Sequence, residues 1–185
     1  TATVTVAPVN DAPVVVLSAG NAAYTEAGGA VVVDGLLALS DVDSSTLSGA
    51  TVQITGGYQS GSDTLAFAGS GLTGNIAASA FDVGTGTLTL ASAGGTATVA
   101  QWQEALRLVR FDSSSPSPGA TRVVAFQVDV GDGGSSLSPV QTRTIDITEV
   151  NSAPTLAGGG AVVFAENGAA LVLDAALVVA DPDTL

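Results

Sequence analysis

The side chains able to do chemistry in this sequence are almost all carboxylates, and they recur. Asp41-Val42-Asp43 returns as Asp181-Pro182-Asp183, Glu26 as Glu166 and Asp34 as Asp174, each at an offset of 140. Oxygen donors spaced this closely suit a hard cation. Two carboxylates about 4 Å apart repel by about 4 kcal/mol at an effective dielectric of about 20. Calcium relieves that repulsion by taking about six to eight oxygen ligands in irregular geometry, Asn and backbone carbonyls included. Zinc and copper lack donors here, because the chain has no histidine and no cysteine. The same absence removes the usual base and nucleophile pairs, leaving only a carboxylate dyad or metal-bound water for catalysis. A catalytic pair need not be copied into every repeat, whereas a clamp between repeats must be. The chain is expected not to be an enzyme.

Each acid also has a plainer reading. Asp-x-Asp readily forms an Asx turn by accepting from its own backbone, and a lone glutamate such as Glu26 is common on any surface. Asp34 and Asp174 can cap turns, while Asp63, Asp82 and Asp146 are expected on solvated faces. Gly131-Asp132-Gly133-Gly134 is similar to the calcium-binding nonapeptides of β-rolls, but a single copy reads as a hairpin turn. Trp102 could stack on a sugar, yet it shares helical spacing with Val99 and Leu106 and is expected in the core. Arg107 and Arg110 are expected to satisfy nearby carbonyls or acids.

Seventeen acidic residues against four arginines give a formal net charge of −13. Such a surface repels phosphate backbones and anionic headgroups, so neither nucleic acid nor a membrane surface is an expected partner. No stretch approaches the roughly 20 apolar residues that span a bilayer, so no membrane insertion is expected. Without cysteine, stability must come from packing and, on the cation reading, from metal.

The elements that position the acids are read from a repeat and from alternation. Thr3 to Pro13 aligns with Thr144 to Pro154 at an offset of 141, both blocks ending in Val-Asn-x-Ala-Pro, and eight of the twenty positions from Tyr24 to Asp43 are identical in the second copy. Residues 1–9 are therefore expected to end a preceding unit, 10–150 to form a complete one and 151–185 to begin the next. Within the complete unit, Val52/Ile54, Leu65/Phe67, Leu88/Leu90, Val124/Phe126/Val128 and Ile145/Ile147 alternate with polar residues, as strands with one buried face require. Turns fall at Gly56-Gly57, Gly84-Thr85-Gly86 and Asp132-Gly133-Gly134. One helix is expected from Thr98, paired with Gln101 as a capping box, to about Arg107, and 113–120 reads as a loop. Many strands and one short helix predict an all-β fold, an immunoglobulin-like β-sandwich. With successive strands reversing, Asp41, Asp43 and the turn from Asp129 to Asp132 fall at one pole. Glu26, Asp112 and Glu149 fall at the other, where the next unit's Asn151, Asp181 and Asp183 begin.

Here the residues resemble a family. Val9-Asn10-Asp11-Ala12-Pro13 and Glu149-Val150-Asn151-Ser152-Ala153-Pro154 look like the cadherin linker Asp-x-Asn-Asp-Asn-x-Pro. Asp41-Val42-Asp43, 31 residues after Asn10, looks like the cadherin Asp-x-Asp. Over essentially the whole chain the sequence resembles the cadherin-like repeats of giant bacterial surface adhesins of the RTX type. The resemblance implies tandem cadherin-like sandwiches with Ca2+ held between successive units. By position, the second junction would use Glu26, Asp112, Glu149, Asn151, Asp181 and Asp183. The first would use Asn10, Asp11, Asp41, Asp43 and one of Asp129 or Asp132; Glu166 repeats the place of Glu26. Pro8 and Ser152 replace acids of the family linker, so each joint is expected to bind fewer ions than a three-calcium joint. The unit is also longer than a typical cadherin domain, with the excess around 69–110.

The function expected is a calcium-stiffened extender of a long adhesin at the extracellular cell surface, with neighbouring repeats and calcium as partners. The alternative is a structural subunit of a self-assembling extracellular filament or surface layer, in which chains associate laterally. A sugar-binding module comes last, for want of an exposed aromatic platform.

Overall fold

The computed structural model describes residues 2–5, 9–132 and 136–183. Pro8 and the Gly133-Gly134 turn lie outside the described residues. The chain divides into two units, Thr1–Glu149 and Val150–Leu185.

The first unit is built from short strands in chain order: β1 (Val14–Val16), β2 (Ala22–Thr25), β3 (Val31–Val32), β4 (Ala38–Ser40), β5 (Thr46–Leu47), β6 (Gly49–Gly56), β7 (Asp63–Ala66), β8 (Ile76–Ala78), β9 (Thr87–Ser92) and β10 (Ala97–Thr98). The helix α1 (Val99–Arg107) follows, then β11 (Arg110–Ser113), β12 (Thr121–Asp129) and β13 (Gln141–Thr148). One six-stranded sheet runs β2-β13-β12-β6-β9-β8, facing the three-stranded sheet β3-β11-β7 and the pairs β1-β4 and β5-β10. Val52, Ile54, Leu88, Leu90, Val124, Phe126, Val128, Ile145 and Ile147 of the large sheet bury into one core with Val15, Leu39, Leu65, Phe111 and Trp102 of the opposing elements. This is the expected all-β sandwich. Each such side chain contributes about 1.5–3 kcal/mol by leaving water.

Alternation decides most of this. In β6 every second residue is buried, so Ala50, Val52 and Ile54 point inward while Thr51, Gln53 and Thr55 point out. Gly57 follows at φ +69°, where an added Cβ would come within 2.5 Å of the Thr121 carbonyl oxygen, so the turn admits only glycine. The helix begins as expected: Thr98 accepts from the Gln101 N–H, and the Gln101 side chain accepts from the Thr98 N–H. Trp102, Ala105 and Leu106 are its buried face, and the Trp102 indole N–H donates to the Leu47 carbonyl at 2.9 Å.

Two features differ from simple strand reversal and simple solvation. β2 pairs with β13 in parallel, with Thr25 opposite Thr148, because the chain after β1 crosses from one sheet to the other without turning back. Asp63, expected on a solvated face, is wholly buried and paired with Arg122.

The second unit contains β14 (Thr155–Ala157) and β15 (Val178–Ala180), paired antiparallel with Thr155 opposite Ala180. This is the register of β1 and β4, in which Val14 is opposite Ser40. Positions buried in the first copy are exposed in the second: Val15 is 4% exposed and Leu156 68%, Tyr24 1% and Phe164 60%. Among its described residues the second unit has only these two strands, so no opposing sheet covers them.

Candidate functional site

The acids at the start of the first unit are held by a short network between the Asn10 linker and the loop after β4. The Asp11 N–H donates to Asp43 Oδ2 at 3.0 Å, and Ser44 Oγ donates to Asn10 Oδ1 at 3.2 Å. Asp41 Oδ1 accepts from the N–H groups of Asp43 and Ser44, at 3.1 and 2.8 Å. Asp41-Val42-Asp43 is therefore an Asx turn, and that turn directs the second carboxylate back at the linker. The other Asp41 oxygen, Oδ2, is buried with no hydrogen-bond partner. Asp11, Ala12, Val14, Ser40, Asp41 and Val42 line an open depression of about 520 Å³ beside it.

The second unit repeats the arrangement with different residues. The Ser152 N–H donates to Asp183 Oδ2 at 2.7 Å, as Asp11 does to Asp43, and Asn151 Nδ2 donates to the Ser152 carbonyl as Asn10 Nδ2 does to that of Asp11. Asp183 is only 4% exposed, and its Oδ1 has no partner. Asp181 is exposed. The Asp34 turn is copied too: Asp34 accepts from the N–H groups of Ser18 and Leu36, and Asp174 from those of Gly159 and Ala176. After Glu26 and Glu166 the chain enters the left-handed region, at Ala27 (φ 54°) and Asn167 (φ 60°).

No family model matches the chain. Part of it is similar to Halomucin of Haloquadratum walsbyi (strain DSM 16790 / HBSQ001), 33% identical over 112 residues, which are 60% of this chain and 1% of that protein. The chain thus spans about 1% of the length of the relative it matches. Among solved structures it is similar to a cohesin module from a family 33 glycoside hydrolase of Clostridium perfringens ATCC13124. That likeness has a TM-score of 0.41 and 13% identity, covering 75% of this chain and 96% of that one.

At the opposite end of the first unit, parallel pairing brings β2 and β13 out side by side, so Glu26 and Glu149 leave the sheet together. The Glu26 N–H donates to the Thr148 carbonyl at 3.0 Å, and Glu149 Oε1 accepts from the Gly119 N–H at 2.7 Å. Asp112 Oδ1 accepts from the Tyr24 hydroxyl and from the Ser113 N–H, both at 3.0 Å. Burial raises the Tyr24 pKa. The hydrogen bond to Asp112 and the charges of Asp112 and Glu26 add to that rise, against the opposing backbone bond at Ser113. Asp129 Oδ1 accepts from the Gly131 N–H at 2.8 Å, within its own turn, while the Asp129 carbonyl accepts from Ser48. Asp132 is exposed.

The structure thus brings together Asn10, Asp11, Asp41 and Asp43 by hydrogen bonds, and places Glu26 and Asp112 around Tyr24. The Asp129 carboxylate bonds within its own turn. Among the described residues, no group of three or more acidic side chains converges so as to hold a metal ion. Nor is any helix there long and apolar enough to cross a membrane.

Asp34 is a structural centre that spacing alone did not reveal. It is 1% exposed. Burial raises its pKa, but hydrogen bonds from Ser18 and Leu36 and the Arg143 guanidinium at 3.2 Å outweigh that and leave it lowered. Arg107 and Arg110 satisfy the carbonyls of Leu37 and Ala30, as expected of them.

Proposed function

We propose that this chain is a stretch of tandem extender repeats in a long extracellular surface protein, stiffened by calcium at the joints between units, and that it has no catalytic role. The observation that carries the reading is the copied clamp: a linker N–H held by an Asp-x-Asp carboxylate, at Asp11 to Asp43 and again at Ser152 to Asp183. A clamp preserved while its residues change from Asp to Ser and from Val to Pro is retained for its geometry. Beside the first clamp Oδ2 of Asp41 is buried without a donor, and in the second the clamping residue itself, Asp183, has its Oδ1 so placed. A cation satisfies such oxygens, and an all-oxygen donor set suits calcium. The ligand sets expected from the sequence draw on successive units, which accords with single units that gather acids only in small groups.

Similarity to about 1% of Halomucin fits membership in a very long chain, and millimolar calcium outside cells is enough to fill sites of about 10⁻⁴ to 10⁻³ M. The cadherin-like, RTX-adhesin identity and the role in adhesion belong to the same proposal. The test is a calcium titration of the whole chain, followed by melting temperature and small-angle scattering, against Asp181→Asn/Asp183→Asn. Calcium should raise the melting temperature and lengthen the particle, and the variant should lose much of both. No response in the parent chain would reduce the acids to solvated surface.

A further inference from the structure

Tension carried by an extender has to cross the first unit, and the sheet topology fixes the route. It enters through β1, passes the crossover of residues 17–21 into β2, and leaves at the end of β13. β2 and β13 are parallel neighbours, with Ala22 opposite Ile145 and Thr25 opposite Thr148. The Glu26 N–H continues the ladder to the Thr148 carbonyl at 3.0 Å. Pulling the start of one parallel strand against the end of the other slides them past each other, so the evenly spaced bonds between them are strained together. An antiparallel pair at this place would be pulled at one end and open bond by bond.

β13 also grips the crossover itself. β1, which comes earlier on the route, is held by β4 only along Val14–Val16. Behind it, Arg143 Nη1 of β13 donates to the carbonyl and hydroxyl oxygens of Ser18 and to Asp34 Oδ2. Asp34 in turn accepts from the Ser18 N–H and hydroxyl, both at 2.8 Å. Next along the crossover, Asn21 Nδ2 donates to both carboxylate oxygens of Asp146, each at 3.0 Å. Tension arriving from β1 therefore meets Ser18 and Asn21 before it meets the ladder. Asn21 and Asp146 are exposed, so water replaces their bonds readily when the chain is at rest.

We propose that the crossover and the parallel pair form a force-bearing latch. Arg143 and Asp146 lock Ser18 and Asn21 onto β13, and the unit resists extension through its two ends far better than extension from other points. The proposal rests on the extender reading for the source of the tension, while the latch itself needs no calcium.

The test pulls the whole chain in chelator by two routes at constant force, which reports the unfolding rate. Tags on both termini load β2 against β13 in shear. Because the chain has no cysteine, Ala30→Cys gives a single attachment point, exposed just beyond β2. Paired with the same C-terminal tag, it loads the two strands from the ends that lie together at Glu26 and Glu149. Loss of the first unit through the terminal tags is recognised by the release of Val14 to Thr148, at about 3.3–3.6 Å per residue. At equal force, unfolding through the termini should be at least about tenfold slower, a barrier difference of about 1.4 kcal/mol. Asn21→Ala should speed the terminal route about five- to tenfold by removing bonds to a charged acceptor, and leave the Ala30 route unchanged. Asp146→Ala should do the same, and the double variant should add nothing further. Gln53→Ala, which removes an exposed bond to the Thr85 carbonyl away from the route, should change neither rate. Equal rates by the two routes, or an Asn21→Ala effect equal in both, would overturn the latch. Calcium enters none of these rates, so failure of the calcium titration and failure of the latch are told apart.

Discussion

Asp63 and Arg122 form a two-pronged ion pair in the interior of the first unit, with Nε to Oδ2 at 2.6 Å and Nη2 to Oδ1 at 3.2 Å, both residues 2% exposed or less. Asp63 Oδ2 also accepts from the Gln59 N–H at 2.7 Å, so the pair ties β12, β7 and the turn between β6 and β7 together. Removing one partner strands a buried charge, which costs about 3–5 kcal/mol. Arg122→Met or Asp63→Leu alone should lower the unfolding free energy measured in urea by that much, while the double apolar replacement should recover most of the loss. A double-mutant cycle checks this; additive losses would show that the pair contributes only packing.

Both partners were visible in the sequence, in the alternation itself. Asp63 is in phase with Leu65, and Arg122 with Val124 and Phe126, so the register that carries the apolar residues inward carries these two with them. Composition argued for solvation, and the period argued for burial; the period won because a charge with a complementary partner can follow its strand inside. The helix was legible because Thr98 and Gln101 fix its start locally. The parallel pairing of β2 with β13 was not, since which distant strand covers an edge is not encoded in local pattern. The copied clamp was half legible: the sequence showed which acids recur, while the backbone showed that Asp43 and Asp183 face a linker N–H.

Asp34 predicts a pH dependence. Its pKa is lowered in the folded chain, against about 3.9 unfolded. A lowered carboxylate contributes stability that is fully present above the unfolded pKa and is lost as pH falls through the folded one. Unfolding free energy should therefore decline below about pH 4 with a slope that Asp34→Asn reduces. At neutral pH, Asp34→Asn should cost about 1.5–3 kcal/mol by weakening hydrogen bonds to a charged acceptor. Denaturant melts of both proteins from acid to neutral pH are the check, and parallel curves would assign the acid loss to other groups.

Tyr24 offers a test of the opposite pole. Its hydroxyl donates to Asp112 and to the Ser113 carbonyl, at 3.0 and 2.8 Å, while the ring packs edge-on to Phe111 at 5.1 Å. The second copy has Phe164 at this place, so the ring is shared between copies and the hydroxyl is particular to the first. Tyr24→Phe should cost about 1–3 kcal/mol, because it leaves partly buried acceptors without their donor. A raised tyrosine pKa also makes stability fall as pH rises above about 10, a fall that Tyr24→Phe should lessen. Alkaline melts of the two proteins decide it.

The clamp separates a structural turn from a cation site. Asp43→Asn keeps a carbonyl oxygen able to accept from the Asp11 N–H, so without calcium its melting temperature should stay close to that of the parent. What the variant loses is charge. With sites of about 10⁻⁴ to 10⁻³ M, about 10 mM calcium stabilises by about 1.4–2.7 kcal/mol per ion, a rise of about 3–10 °C in a chain of this length. The parent chain should show that rise and lose it to a chelator, while Asp43→Asn and Asp183→Asn should each forfeit part and together most of it. If instead both variants melt well below the parent in chelator and respond to calcium as the parent does, these carboxylates serve only to fold the linker back onto its unit, and the stiffening ion has to be sought around Glu26, Asp112 and Glu149.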